Sequence, residues 1–327
     1  EIVSTIANEN TGSVNKNIGE AFLLVWKFRE TDILKVFEND NNGDLKMNIK
    51  LKSSLDQNNT VSSRCELALL SCLQTLIAIQ TSTTLNKYRN IKSIQQKLPG
   101  FEVKMGFGLH IGWAIEGAIG SNHKIDATYL SPNVNLASRL QAATKQFGVH
   151  ILFSGEIYDL LSKEIQNLTR IIDVVNVKGS KKEMRLYTYD MNLSNMTIQF
   201  QNILKKQEKK LLKQNQKKLL YIYKKKLQRL HEEFYDGRIT GKNIFFSEKN
   251  LLLVRKEYKA QFYDEWKSGF DSYIKGDWDL SKHHLEKTLN FIPKIIDKPS
   301  KVLLEYMSEY NFKCPNNWKG VRALLSK

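Results

Sequence analysis

"DATYLSPNVNLASRLQAATKQFG", residues 126–148, has the beginning, middle and end of one helix written into it. Ser131 is a good N-cap and Pro132 falls at the first helical position, where its missing N–H costs nothing. Gly148 suits the C-terminal cap. Between them Leu136, Leu140, Ala143 and Phe147 recur at helical spacing, which predicts an amphipathic helix docked on a core. Asn135 and Arg139 stand one turn apart beside that apolar stripe. From spacing alone they could simply hydrogen-bond a neighbouring loop.

Working outward, residues 2–9 read as a helix stopped near Gly12. "SVNKNIGEAFLLVWKF" (13–28) reads as two strands about a tight turn at Gly19 and Glu20. Residues 29–62 are rich in Asn, Asp, Lys and Ser with no sustained period, and are expected to form a polar, mobile insertion. Inside it "ENDNNGDLKMNI" imitates a calcium loop, but Ile49 stands where a bidentate Glu is needed. "RCELALLSCLQTLIAIQ" (64–80) predicts a buried helix in which Cys65 and Cys72 are core packing.

"VKMGFGLHIGWAIEGAIGS" (103–121) alternates like strands and carries Gly106, Gly108, Gly112, Gly117 and Gly120. With no GK[ST] and no following helix it is not a P-loop, so close strand packing is the expected role of most of these glycines. After the opening helix come a strand at 149–153, a helix at 155–163 and a strand pair over 171–191 turning at Gly179. The alternation predicts an α+β domain.

Beyond Asn192 the chain changes character. Residues 193–246 read as a basic linker helix: eleven Lys or Arg and a single acid, Glu208, lie between Lys205 and Arg229. Much of the net charge of +16 sits there. Such a helix suits an acidic protein or cytoskeletal surface, and the scarcity of stacking aromatics argues against nucleic acid. In 247–327, Trp266, Gly269, Tyr273, Gly276, Trp278 and Pro293 fall nearly where a tetratricopeptide hairpin places bulky and turn residues.

At 327 residues, 41% hydrophobic and 26% charged, the composition is globular. Three cysteines without a CxxC or a His cluster argue against a disulfide framework or a zinc site. No stretch approaches 18 apolar residues, and the first residues lack the pattern of a signal peptide.

Three separated segments, "NKNIGE" (15–20), "DATYLSPNVNLASR" (126–139) and "NVKG" (176–179), read together with "GLHIGWAIEGAIGS", resemble the catalytic domain of class III adenylate and guanylate cyclases over about residues 1–192. The resemblance implies a ferredoxin-like α+β fold whose first strand, with the first metal-binding Asp, belongs upstream of Glu1, followed by an all-helical extension. It implies conversion of ATP, or less readily GTP, to a 3′,5′-cyclic nucleotide and pyrophosphate. Two Mg²⁺ or Mn²⁺ ions would serve each site, between two head-to-tail cyclase domains that form a homo- or heterodimer.

By motif match, Asn135 resembles the residue that orients the ribose and Arg139 the one that stabilises charge on the α-phosphate. Lys178 resembles the lysine at the terminal phosphates. Lys16 and Thr128 resemble the purine-recognising pair, and Thr128 leans toward adenine. Glu20 stands where the family usually has its second metal-binding Asp, one methylene shorter. The competing reading is a non-catalytic cyclase-fold scaffold or regulatory subunit. Either way the chain is expected on the cytoplasmic side, within a membrane- or cilium-associated parent.

Overall fold

The computed structural model describes residues 1–18, 21–39, 45–51, 60–89, 91–121, 124–176, 183–196, 216–293 and 295–323. In chain order the first half runs α1 (Ile2–Glu9), β1 (Ser13–Ile18), β2 (Ala21–Val25), β3 (Ile33–Asn39), β4 (Leu45–Leu51), α2 (Thr60–Thr81), α3 (Thr83–Arg89), α4 (Lys92–Lys97), β5 (Phe107–Leu109), β6 (Ile115–Ser121) and β7 (Lys124–Leu130). Then come α5 (Pro132–Phe147), β8 (Ile151–Ser154), α6 (Gly155–Leu160), α7 (Lys163–Gln166), β9 (Arg170–Asn176) and β10 (Glu183–Thr188). The remainder is α8 (Gln216–Tyr235), α9 (Gly241–Ser247), α10 (Lys249–Arg255), α11 (Ala260–Lys275), α12 (Trp278–Leu289), α13 (Lys298–Ser308) and the short β11 (Arg322–Ala323).

The chain forms two compact units, each drawn from three stretches of sequence. The first comprises residues 1–103, 160–165 and 196–249. Its centre is α2, which by length and composition could cross a membrane, unlike what the sequence reading expects of any segment. Yet 89% of its most apolar window is buried within the protein, as befits a core helix. Cys65 and Cys72 are packed there, and burial pushes both thiols well above their usual range. Glu66 is also buried; it accepts hydrogen bonds from the Ser162 backbone N–H (3.1 Å) and the Ser62 hydroxyl (3.4 Å), and burial raises its pKa.

Two expectations for this unit change. The 29–62 insertion contains a regular hairpin, β3–β4, paired from Ile33↔Leu51 to Asn39↔Leu45. What the composition hides is a period-2 pattern over 45–51, where Leu45, Met47, Ile49 and Leu51 alternate with Lys46, Asn48 and Lys50. The basic helix is also more than a linker at its C-terminal end. Phe234 is buried, the Tyr235 carbonyl accepts from Arg29 Nη2 at 2.9 Å, and the guanidinium groups of Arg29 and Arg64 lie 4.7 and 5.5 Å from the Tyr235 ring. Further back, Tyr221, Ile222 and Lys224–Lys226 are exposed.

The second unit comprises residues 104–159, 166–195 and 250–327. It holds a mixed five-stranded sheet in the order β11-β9-β10-β8-β5. β5 runs parallel to β8, β8 and β9 are antiparallel to β10, and β11 is parallel to β9. With the helices around it this is an α+β architecture. Leu140, Ala143 and Phe147 of α5, Leu152 of β8, Ile172 and Val175 of β9, and Met184 and Leu186 of β10 share one core with Trp266, Tyr273, Trp278, Leu285 and Leu303 of α11–α13.

Helices α11–α13 thus share one core with the sheet and α5. α11 and α12 pack against each other. Gly276 caps α11 at φ +88°, a conformation that favours glycine. At Gly269 a side chain would meet His284 and Leu285 at 3.1 Å.

Candidate active site

The geometry that matters begins where β7 hands over to α5. β6 and β7 form a two-stranded ribbon in which Thr128 pairs with Gly117, and Thr128 is 8% exposed. At the base of the ribbon the Ser131 hydroxyl accepts from the Asn133 backbone N–H (3.0 Å), capping α5, and donates to the Trp113 carbonyl (2.6 Å). Asn133 Nδ2 donates to the same carbonyl at 2.9 Å. The first turn of α5 is thus tied to the entrance of the ribbon.

The middle of α5 is seated by glycine. A Cβ on Gly108 would lie 2.2 Å from the Ala137 carbonyl oxygen and 2.3 Å from the Gln141 nitrogen, so only glycine lets the β5 backbone touch the helix backbone. Gly106 and Gly112 give similar close room to Thr144 and Asn133. These three serve helix-on-strand contact; around Gly117 there is open space. At its far end α5 is closed by Gly148 at φ +63°.

On this fixed helix Asn135 and Arg139 both point to solvent. Among the described residues neither side chain has a hydrogen bond, ion pair or ring contact within the chain. The simple alternative, that the pair ties down a neighbouring loop, finds no such contact among the described residues. Residues at i and i+4 have Cβ atoms about 5–6 Å apart. An amide with donors and an acceptor next to a five-donor planar cation can meet a sugar oxygen and an adjacent phosphoryl group together.

The other sequence-derived candidates are placed differently. Lys16 lies on β1, opposite Leu23 just after an irregularity in register, in the first unit. Lys178 and Glu20 lie outside the described residues. Among the described residues no group of three or more His, Cys, Asp or Glu could hold a metal ion. The described part of the site therefore offers donors for a sugar and a phosphate, and no carboxylate set for a divalent cation.

Two histidines flank the base of α5. His110, after β5, has Nδ1 2.9 Å from the Ser154 hydroxyl, and burial lowers its pKa against the opposing pull of Glu156 and Asn133. His150 is likewise lowered, by burial and then by Lys104. A base whose folded pKa lies below its unfolded value of about 6.5 leaves the unfolded chain holding more protons in that window. Stability contributed by neutral His110 and His150 is thus present above about pH 6.5 and is lost as pH falls toward their folded values. Melting temperature should drop between pH 7 and pH 5, and the His110→Gln/His150→Gln variant should show a shallower drop in the same titration.

Comparison with known proteins fits this arrangement. The family described as "Adenylate and Guanylate cyclase catalytic domain" matches residues 3–191, more than half of the chain. The chain belongs to that family. An adenylate cyclase of Anabaena cylindrica is 33% identical over 112 residues, covering 34% of this chain and 22% of that protein. "Adenylate cyclase 1" of Rhizobium meliloti (strain 1021) is 29% identical over 90 residues, 28% of this chain and 13% of that protein.

The matches thus span less than a quarter of these relatives. Among solved structures, the adenylyl cyclase CyaB from P. aeruginosa aligns with 20% identity and a TM-score of 0.30, covering 57% of this chain and 74% of that one. A bacterial light-regulated adenylyl cyclase aligns with 21% identity and a TM-score of 0.35, covering 57% and 41%.

What the sequence does not reveal is the scaffolding of the site. The Trp113 carbonyl becomes an anchor only through backbone geometry, and its two donors, Ser131 and Asn133, read as cap and helix residues. Gly108 carried a signal, a glycine inside a strand, but not its partner, which is a helix.

Proposed function

We infer that the protein is a nucleotidyl cyclase chain acting on ATP in preference to GTP, and that its site is completed by a second cyclase domain. The observation that carries this is the exposed pair Asn135 and Arg139, without partners among the described residues, on a helix whose position is fixed by glycine contacts and a double anchor at Trp113. Catalysis depends on donors aimed in advance at developing charge, and such a pair is held in advance.

In the reaction a bond forms between the ribose 3′-oxygen and the α-phosphorus. The bond from that phosphorus to the pyrophosphate oxygen breaks, and the hydroxyl proton is lost. Asn135 holds the ribose so that its 3′-oxygen faces phosphorus, and Arg139 takes up charge on the α-phosphoryl oxygens. Lys178 meets the terminal phosphates, while Thr128 and Lys16 select the purine. Family members use divalent ions for Lewis-acid stabilisation. By motif match Glu20 would hold such an ion together with an Asp outside this sequence.

A partner is supported by Trp113, Ile115 and Leu130. They are 61%, 62% and 60% exposed at the base of the ribbon, beside the start of α5. Large apolar side chains clustered on a surface mark a place to bury against another chain.

The test is to measure cyclic AMP and cyclic GMP formed from Mn-ATP and Mn-GTP, with sedimentation in parallel. Cyclic AMP formation that rises with dimer fraction is expected. A folded, dimeric protein that turns over neither nucleotide would instead support the scaffold reading.

A further inference from the structure

The last described residues return to the sheet and touch both the helix that carries the catalytic pair and the strand beside it. β11 pairs parallel with the end of β9, Arg322↔Val175 and Ala323↔Asn176. In sequence, Asn176 is two residues before Lys178. Arg322 Nε bonds the carboxylate of Asp173, which is fully buried on β9. The same guanidinium lies 5.2 Å from the ring centre of Phe147, the last residue of α5, and 5.3 Å from that of Tyr306 on α13.

The segment is itself seated. Trp318 Nε1 donates to the carbonyls of Tyr273 (3.1 Å) and Ile274 (3.2 Å), and Gly320, at φ +77°, leaves room for Ile274. Gly148, just after Phe147, abuts Lys298 of α13, which a Cβ would meet at 2.5 Å.

We propose that Trp318–Ala323 is a positioning strap for the cyclase site, in which Arg322 locks the C-terminal turn of α5 to β9 and so fixes where Asn135 and Arg139 stand. Arg322 is a positioning residue and touches no substrate. Arg139 lies eight residues before Phe147, about 12 Å along a rigid helix, so rocking at one end is carried to the other. Misplacing a catalytic group by about 1 Å can cost about 10²-fold in rate. Arginine suits the post because one planar group bonds a carboxylate at its edge while its faces lie on aromatic rings.

The inference rests on Asn135 and Arg139 being the catalytic pair, and the experiment separates the two claims. In the intact protein, Arg322→Ala should lower kcat per folded molecule at least tenfold with KM within threefold of wild type. It should also speed amide exchange in residues 140–147 and 170–176. Arg322→Lys, which keeps the charge beside Asp173, should recover part of kcat.

Wild-type kcat per folded Arg322→Ala molecule would overturn the strap. Should that variant not fold, Trp318→Phe, which loses two hydrogen bonds and keeps a ring, is expected to lose three- to tenfold in kcat, and no loss would again overturn it. If the wild type itself makes no cyclic nucleotide, the functional reading fails. The strap then stands or falls on exchange alone, with unchanged protection of 140–147 in Arg322→Ala counting against it.

Discussion

Arg139→Ala is expected to reduce cyclic nucleotide formation by about 10²–10³-fold, the usual consequence of removing one preorganised donor to developing charge. The fold should not notice. Arg139 is exposed and has no partner among the described residues, and surface substitutions of that kind stay within about 0.5 kcal/mol. Steady-state assay of the variant beside its thermal melt checks both halves. Arg139→Lys restores charge without the planar fork and should recover only a minor share. An Arg139→Ala protein within threefold of wild-type kcat would remove this residue from the mechanism and leave the scaffold reading ahead.

The second large effect concerns stability. Arg170, at the start of β9, is buried; its Nη2 bonds Asp190 Oδ1 at 2.6 Å and Asp297 Oδ1 at 2.8 Å, and its Nη1 bonds Asp297 Oδ2 at 3.1 Å. Its guanidinium also lies 4.3 Å from the Trp266 ring and 4.9 Å from that of Phe262. The two carboxylates hold its pKa above even the usual arginine value against the opposing effect of burial. Asp297 in turn caps α13, accepting from Ser300 N at 2.9 Å. One side chain thus joins the sheet, the chain beyond β10 and two C-terminal helices.

Arg170→Met should destabilise by about 3–5 kcal/mol, because removing one member of a buried set strands the others without compensation. Removing the carboxylates as well, in Arg170→Met/Asp190→Asn/Asp297→Asn, should return part of that loss. The exposed pair Arg185–Asp159 (2.6 Å; 44% and 54% exposed) sets the contrast, since such pairs are worth about 0–1 kcal/mol. Urea titrations of wild type, Arg170→Met, the triple variant and Asp159→Asn decide between these magnitudes; a loss below about 1 kcal/mol for Arg170→Met would refute the account.

The difference between what could and could not be read in the chain follows from locality. α5 was legible end to end, because cap, proline, apolar stripe and terminal glycine all lie within 126–148 and all point to the same element. The same was true of α2 and of the strand pairs β1–β2 and β9–β10, whose expected turns at Gly19 and Gly179 lie outside the described residues. Asn135 and Arg139 could be singled out because they sit on that legible helix. Their lack of internal partners could not, since it depends on what fails to come near.

Arg170 and Arg322 look like ordinary strand and tail residues in sequence. Their partners are 127 and 149 positions away, and no periodicity reports contacts of that range. β3–β4 is hidden for a different reason: β4 alternates cleanly over 45–51, but it lies in a long polar stretch and β3, "ILKVFEN", does not alternate with it.

The compact unit that carries α5 is assembled from residues 104–159, 166–195 and 250–327, interrupted by stretches that belong to the other unit. This order has a consequence during synthesis. When Arg170 is added to the growing chain, Asp297 is 127 residues from being made, roughly 6–25 s of elongation at about 5–20 residues per second. Through that interval β8, β9 and β10 can pair, but the apolar face that will meet Trp266, Tyr273 and Trp278 has nothing to cover it. The nascent chain is thus expected to need shelter by a chaperone until residues 250–327 arrive, and this unit is expected to fold late and in one step.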